Sequence, residues 1–447
     1  MKTFFRSLLA STLLATATLA AQAQPSAPTA AAATPTDTAR LTLDPGLINP
    51  VSMQSFEAFR TAVQPLVKQM AGKKVVAMGE GTHGTAEFYK LRFWLTRILM
   101  EEHSFDRLGL ENTYGDTYLL NQALQQRTAT TDLKPLMQKH LISMWQNQEM
   151  VELLTWMQAR NRRQRRQVEL TGIDNMFTTA DAQLLQQGLA KAKNPEVQAA
   201  VAQLLKSAQY NDNYWYKLSD KTFKRNRPEW LSSGYAGYLA AEKLVQLLPA
   251  TKLPRKQREV LAGAAKNAHL GLDVFYQYEK FKRDSSRDSA FAEMTKFIAG
   301  GSHKVIIWAH NAHVGRTVAA TDDRSNGGGT GDYLERMFPG QYFVLATATG
   351  AGTFAATQDV FISPASVMAS YPLSAPKAGS WEAAMSQVSS PLYFFDTHQL
   401  GAQDLKRPHR LVGQTVGGED YYADTQLGVT YDAMLFVRQG TAATPLR

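Results

Sequence analysis

Between Lys304 and His310 the chain reads Lys-Val-Ile-Ile-Trp-Ala-His, five apolar residues in succession with no alternation. A half-exposed strand alternates and an amphipathic helix repeats every three to four residues. A short unbroken run therefore predicts a strand covered on both faces, as in parallel sheets flanked by helices. Three related runs end, as this one does, at an ionisable residue. Lys74-Val-Val-Ala-Met78 leads through Gly79 to Glu80, Arg107 to Leu110 ends at Glu111, and Val168 to Ile173 ends at Asp174. Gln341 to Thr347 and Leu392 to Phe395 predict two further strands.

Helical spacing fills the intervals. Phe56, Phe59, Val63, Leu66 and Met70 predict one amphipathic helix, and Phe88, Leu91, Leu95, Ile98 and Leu99 predict another beginning at Thr85. Short buried strands separated by helices predict an α/β fold, a mostly parallel sheet with helices on both faces. Between Thr179 and Ala299 the spacing is helical almost throughout, which predicts a large helical insertion, a lid layer over the sheet's edge. Tyr210, Tyr214, Trp215, Tyr216, Trp230, Tyr235 and Tyr238 fall in its first half, and most of them are expected to pack in its core or between its helices.

Upstream, Lys2 and Arg6 precede the apolar run Leu8 to Ala21 and then Ala21-Gln-Ala23, the order of a secretory signal peptide. The run is shorter than the roughly 20 residues that cross a bilayer. The expectation is residues 1–23 as a signal peptide, cleavage near Ala23, a periplasmic or secreted protein, and no stable membrane insertion. Residues 24–40, rich in Ala, Pro and Thr, predict a disordered linker to a catalytic domain over 41–447. With no cysteine, disulfides, thiolate metal sites and a cysteine nucleophile are excluded. The formal charge of +9 becomes +7 without Lys2 and Arg6, 46 basic against 39 acidic residues, a mild excess for this length. The run of Arg160, Arg162, Arg163, Arg165 and Arg166 lies at the end of an amphipathic helix, where cations suit the dipole. It has no interleaved aromatics, so no nucleic-acid partner is expected.

Ligands of open α/β sheets bind beyond the carboxyl ends of the strands. Those ends carry Glu80 and His83, Glu111, Asp174, and His310 with His313. Each alone has a structural explanation, as a helix cap or a packed histidine. Together they predict one crevice, because titratable groups cluster where chemistry is done. Gly79-Glu-Gly-Thr-His-Gly84 matches G-x-G-x-x-G, yet Glu80 within the turn would repel a pyrophosphate. Its glycines are expected instead to let the backbone turn sharply, so that Glu80 and His83 face the crevice. No G-x-S-x-G, H-E-x-x-H or P-loop sequence is present, which removes support for a serine esterase, a zincin and a P-loop enzyme. The histidines and carboxylates are chemically suited to zinc or iron, so a metal- or haem-binding exported protein, or a metallohydrolase, is the alternative reading. A nicotinamide-dependent oxidoreductase rests on the glycine turn alone.

The turn Gly79 to Gly84 with Glu87, Phe88 and Arg92, then Glu111, then Arg287-Asp288 and Trp308-Ala-His310-Asn-Ala-His313, resembles the motifs of the erythromycin esterase family. The resemblance runs from about Gly79 to Tyr431-Asp-Ala-Met-Leu-Phe436. It implies metal-independent hydrolysis of a lactone ester with no cofactor and no covalent intermediate. His83 would be the general base that activates water. Glu80, Glu111, His310 and His313 would orient it, shuttle its proton or stabilise the oxyanion, and Arg92 matches a further functional position. The implied partner is a small-molecule ester or lactone, possibly a macrolide; the resemblance is to the broader branch of the family, and it leaves open whether the role is antibiotic resistance or modification of the host's own metabolite. Two departures are Gly84, where the macrolide resistance enzymes carry an aromatic residue, and Met294, where relatives often carry Asn. No substrate-binding residue and no oligomeric state follow from the sequence.

Overall fold

The computed structural model describes residues 41–446 apart from 129, 317–327, 360–361, 415 and 417–421. The expected signal peptide and linker lie outside the described residues. Among the described residues no helix is long and apolar enough to cross a membrane.

The described residues form eleven strands: β1 (Asn49–Pro50), β2 (Val75–Glu80), β3 (Arg107–Thr113), β4 (Glu169–Asp174), β5 (Val305–His310), β6 (Tyr342–Ala356), β7 (Ala369–Leu373), β8 (Leu392–Asp396), β9 (Arg407–Arg410), β10 (Tyr422–Thr425) and β11 (Ala433–Gly440). One sheet has the order β4-β3-β5-β2-β6-β11-β8-β1, with β7 paired to β6, and β9 and β10 form a separate ribbon. From β4 to β11 every pairing is parallel, whereas β8, β1 and β7 join antiparallel. The α/β architecture read from the sequence is the one observed.

The unbroken apolar strands split between two cores by the period of two. Val75, Ala77, Val305, Ile307, Val344 and Ala346 face one layer, and Val76, Met78, Ile306, Trp308, Phe343 and Leu345 face the other. The first layer includes the long helices Thr179–Leu189, Pro195–Tyr216, Arg227–Leu247, Arg255–Phe281 and Arg287–Ile298. The second contains Ala86–Glu102 and Gln148–Arg163. In the first layer Tyr214, Trp230 and Tyr238 are buried and Tyr210, Trp215 and Tyr235 pack partly against the core, but Tyr216 is 43% exposed. It stacks obliquely on Phe177 rather than entering the core.

Two local expectations change. The single helix expected from Phe56 to Met70 is two, Phe56–Ala62 and Gln64–Ala71. Pro65 cannot donate to the preceding turn and its ring crowds the carbonyl four residues back, so the helix restarts with Pro65 in its first turn. The glycines of the Gly79–Gly84 turn are not at positive φ. Their missing side chains matter for space instead: a Cβ on Gly79 would lie 2.2 Å from Asn311 Oδ1, and one on Gly81 2.8 Å from the Thr347 carbonyl. On Gly84 it would lie 1.9 Å from the Ala355 carbonyl oxygen. The turn is thus pressed against β6 and the short helix Asn311–Val314.

Candidate active site

The carboxyl ends of β2, β3, β4 and β5 bring the sequence-derived residues together. Glu80 and His310 are cross-strand neighbours in the parallel β2–β5 register. Both share the parity of Met78 and Trp308, so they face the layer that contains Arg92. Arg92 is fully buried; its Nη2 donates to Glu80 Oε2 at 2.5 Å. Its guanidinium lies 4.5 Å from the Trp308 ring centre and 5.2 Å from that of Tyr89. The other Glu80 oxygen accepts from His83 Nδ1 at 2.8 Å. A proton on Nδ1 leaves the His83 lone pair on Nε2. That nitrogen has no hydrogen-bond partner among the described residues and is not sealed from solvent. Tyr89 hydroxyl, 2.6 Å from the His83 carbonyl oxygen, anchors the backbone behind it.

Glu111 reaches the site through a bulge. The β3–β4 register shifts between Leu110, opposite Gly172, and Thr113, opposite Asp174, so β3 carries one extra residue around Glu111 and Asn112. A Cβ on Gly172 would lie 2.3 Å from the Asn112 and Thr113 carbonyl oxygens, so a glycine there admits the bulge. Glu111 Oε2 accepts the His310 backbone N–H at 3.0 Å, and Oε1 lies 3.5 Å from His313 Nε2 and 3.4 Å from Arg287 Nη2. Arg287 holds Asp174 with two hydrogen bonds, of 3.2 and 2.5 Å.

The two histidines of the H-x-x-H motif have different environments. His310 Nδ1 accepts the Ala312 N–H at 3.2 Å, which leaves the proton on Nε2, and Nε2 donates to the Val412 carbonyl at 3.2 Å. Burial lowers its pKa well below the usual imidazole value, reinforced by the nearby His83 and His313. His310 is therefore neutral with both nitrogens engaged. Its ring lies 4.8 Å, centre to centre, from that of His83. His313 Nδ1 is 2.8 Å from Asp288 Oδ1, itself bonded by the Thr330 hydroxyl at 2.7 Å. Burial works against the imidazolium, but Asp288 and Glu111 outweigh it and raise the pKa. For Asp288 burial is likewise overcome, by His313 and Thr330, and its pKa is lowered.

Among the described residues no group of three or more His, Asp and Glu is placed to hold a metal ion. His83 Nε2 is the one imidazole nitrogen of the three with a lone pair not already used. Asn311, between the paired histidines, bonds the Thr347 carbonyl at 2.8 Å and so fixes the helix start to β6.

The family model for erythromycin esterase matches residues 100–440, which include Glu111, His310 and His313. The chain belongs to the erythromycin esterase family. YbfO of Bacillus subtilis, whose name classes it as a hydrolase, is 26% identical over 360 residues, 74% of this chain and 76% of its own length. A protein of Bacillus cereus has a crystal structure that superposes with a TM-score of 0.72 at 17% identity, over 90% of this chain and 97% of that one. A mutant of the erythromycin esterase EreC in its open conformation superposes with a TM-score of 0.62 at 19% identity, over 87% of this chain and 95% of that one. At these identities the two structures speak to the fold, and the hydrolase class rests on the family and on YbfO.

Residue by residue, Glu80, His83 and Arg92 form one linked group, and Glu111, His313 and Arg287 a second. His310 joins them through its backbone to Glu111 and its ring to His83. Sequence reasoning missed Asp288 as the partner of His313, although Arg287-Asp288 is part of the family resemblance. It also missed the Val412 carbonyl, which no side-chain pattern could mark. Gly84 is explained by the backbone of Ala355, and Met294 is a fully buried core residue.

Proposed function

We propose that this protein hydrolyses an ester or lactone of a small molecule, macrolides among the candidates, by attack of water activated at His83. The observation that carries the reading is the unengaged Nε2 of His83, beside an Nδ1 bonded to Glu80. Glu80 fixes the tautomer, and Arg92 balances the charge of Glu80 so that the pair does not stand as a bare buried anion. A water hydrogen-bonded to Nε2 gives up its proton there as its oxygen attacks the carbonyl carbon. In this reading the developing oxyanion is met by His313, whose pKa Asp288 and Glu111 raise, and by Arg287, whose Nη1 has no partner among the described residues. As the tetrahedral intermediate collapses, the carbon–alkoxide bond breaks and His83 returns the proton to the leaving oxygen. Neutral His310, held by Val412 and Ala312, fixes the near wall without competing for the proton. No side chain becomes acylated.

Purified protein incubated with aryl esters, simple lactones and macrolides tests the proposal. Hydrolysis of at least one class is expected, with His83→Asn slower by about 10²- to 10⁴-fold in kcat/KM. Hydrolysis in ¹⁸O-water should place one heavy oxygen in the product acid, with no acyl adduct by mass spectrometry. A His83→Asn protein as active as the parent would refute the assignment.

A further inference from the structure

Away from the catalytic cluster lies a second, wholly buried histidine–carboxylate pair. His409 and Glu382 are 0% and 1% exposed, and His409 Nδ1 lies 2.6 Å from Glu382 Oε1. The same oxygen accepts the Arg410 backbone N–H at 3.0 Å. One carboxylate in the first turn of the helix Trp381–Met385 thus grips two consecutive residues of β9. Burial alone would push the Glu382 pKa up, but His409 and the hydrogen bonds lower it.

The pair is poorly suited to be a source of stability. Glu382 Oε2, His409 Nε2 and the hydroxyl of Tyr431 are all buried without a hydrogen-bond partner among the described residues. Such groups cost free energy, and an apolar replacement of similar volume is often neutral or stabilising. What the pair does hold is the start of the segment that ends at Val412. Two residues of extended chain span about 7 Å. At that distance Val412 N–H donates to the Gly81 carbonyl at 2.9 Å, and its own carbonyl accepts His310 Nε2–H at 3.2 Å. Gly81 lies between Glu80 and His83. The backbone of one residue, Val412, therefore touches both histidine-bearing segments, and its placement is set from Glu382.

We propose that Glu382 and His409 are positioning residues for hydrolysis, acting through the Val412 peptide on the tautomer and place of His310 and on the turn carrying His83. This rests on the function proposed above. The hydrogen bonds accepted by Glu382 hold β9, β9 holds Val412, and Val412 holds the two imidazoles at their working separation.

The test compares Glu382→Met, which keeps the volume and loses both acceptors, with Glu382→Gln, which keeps an acceptor oxygen. Protein labelled with ¹⁵N-histidine reports the His310 Nε2–H resonance, assigned by its loss in His310→Asn. Glu382→Met is expected to exchange that proton with solvent at least about 10-fold faster and to lower kcat by about 10- to 100-fold, with KM changed by less than about 2-fold. Glu382→Gln should restore both. An unchanged His310 exchange rate in Glu382→Met, or a Glu382→Gln no better than Glu382→Met, overturns the proposal. If Glu382→Met does not accumulate folded, His409→Phe and His409→Asn replace the two variants with the same readouts. If the parent protein hydrolyses no ester or lactone, the proposed function fails while the His310 resonance still decides whether the pair positions that ring.

Discussion

Arg92 and Glu80 allow a quantitative test of what the buried pair contributes. Both side chains are 0% exposed, and Arg92 Nη2 lies 2.5 Å from Glu80 Oε2. With charge centres about 4 Å apart and an effective dielectric near 20, their attraction is about 4 kcal/mol. Arg92→Met retains most of the stem against Trp308, Tyr89 and Trp145 but leaves Glu80 with His83 as its remaining side-chain partner. The expected loss is about 3–5 kcal/mol, the usual cost of stripping one member from a buried pair. Glu80→Gln should lose a similar amount, because Arg92 already has one buried nitrogen, Nη1, with no partner among the described residues, and would retain its charge. The double variant contains neither orphan. It should be destabilised by at least about 2 kcal/mol less than the sum of the singles. Chemical denaturation followed by tryptophan emission reads this directly, since Trp145 and Trp308 line the guanidinium. Additivity within about 0.5 kcal/mol would show that the two charges do not interact as their geometry requires, and would refute the coupling of Arg92 to the His83–Glu80 group.

His310 has a lowered folded pKa, so below about pH 6.5 the unfolded chain takes a proton the folded one refuses; stability should fall there by up to about 1.4 kcal/mol per pH unit, and His310→Gln should flatten that slope in denaturation curves. His313 has the opposite sign: its folded pKa is raised, so its stabilisation is complete below the unfolded value and lost as pH rises through the folded one, and His313→Gln should differ least from the parent in alkaline buffer. Gly84→Ala drives a methyl group into the Ala355 carbonyl and strains the hydrogen bonds that Gly84 O accepts from Ala355 and Ala443, so it should cost about 3 kcal/mol or more and disturb His83; a Tm within one degree of the parent would contradict that account.

The central strands were legible because burial on both faces removes ambiguity. Val305 to Ala309 could hardly be anything else, and β2, β3 and β4 follow the same rule. The last central strand, β11, was not singled out, although Ala433 to Val437 is nearly as apolar. Its membership depends on insertion between β6 and β8, a pairing across dozens of residues that no local pattern encodes. Helix boundaries failed where one residue decides, as at Pro65. The glycine turn was located correctly but for the wrong physical reason: the sequence suggested backbone freedom, while the structure needs room for Asn311, Thr347 and Ala355. Steric vacancy is set by neighbours remote in the chain, so only the fold discloses it.

The paired histidines show the same limit at the level of chemistry. In H-x-x-H the residues are identical and three apart, and the sequence offers a common role for both. Placed at the end of β5 and in the helix that follows, they meet opposite fields. His310 meets a backbone donor and a backbone acceptor, which satisfy a neutral ring and leave no reason to bind a proton. His313 meets two carboxylates, which raise its pKa despite burial. A hydrolytic site needs such asymmetry, because a base must not compete with its neighbours for the proton it removes, and the oxyanion it creates must find a positive group. In the proposed mechanism His83 is the base because His310 has both ring nitrogens engaged by the backbone and His313 has both facing carboxylates. If instead His310→Gln abolished activity while His83→Asn did not, the base would be the wrong imidazole, and the division of roles drawn from their partners would collapse.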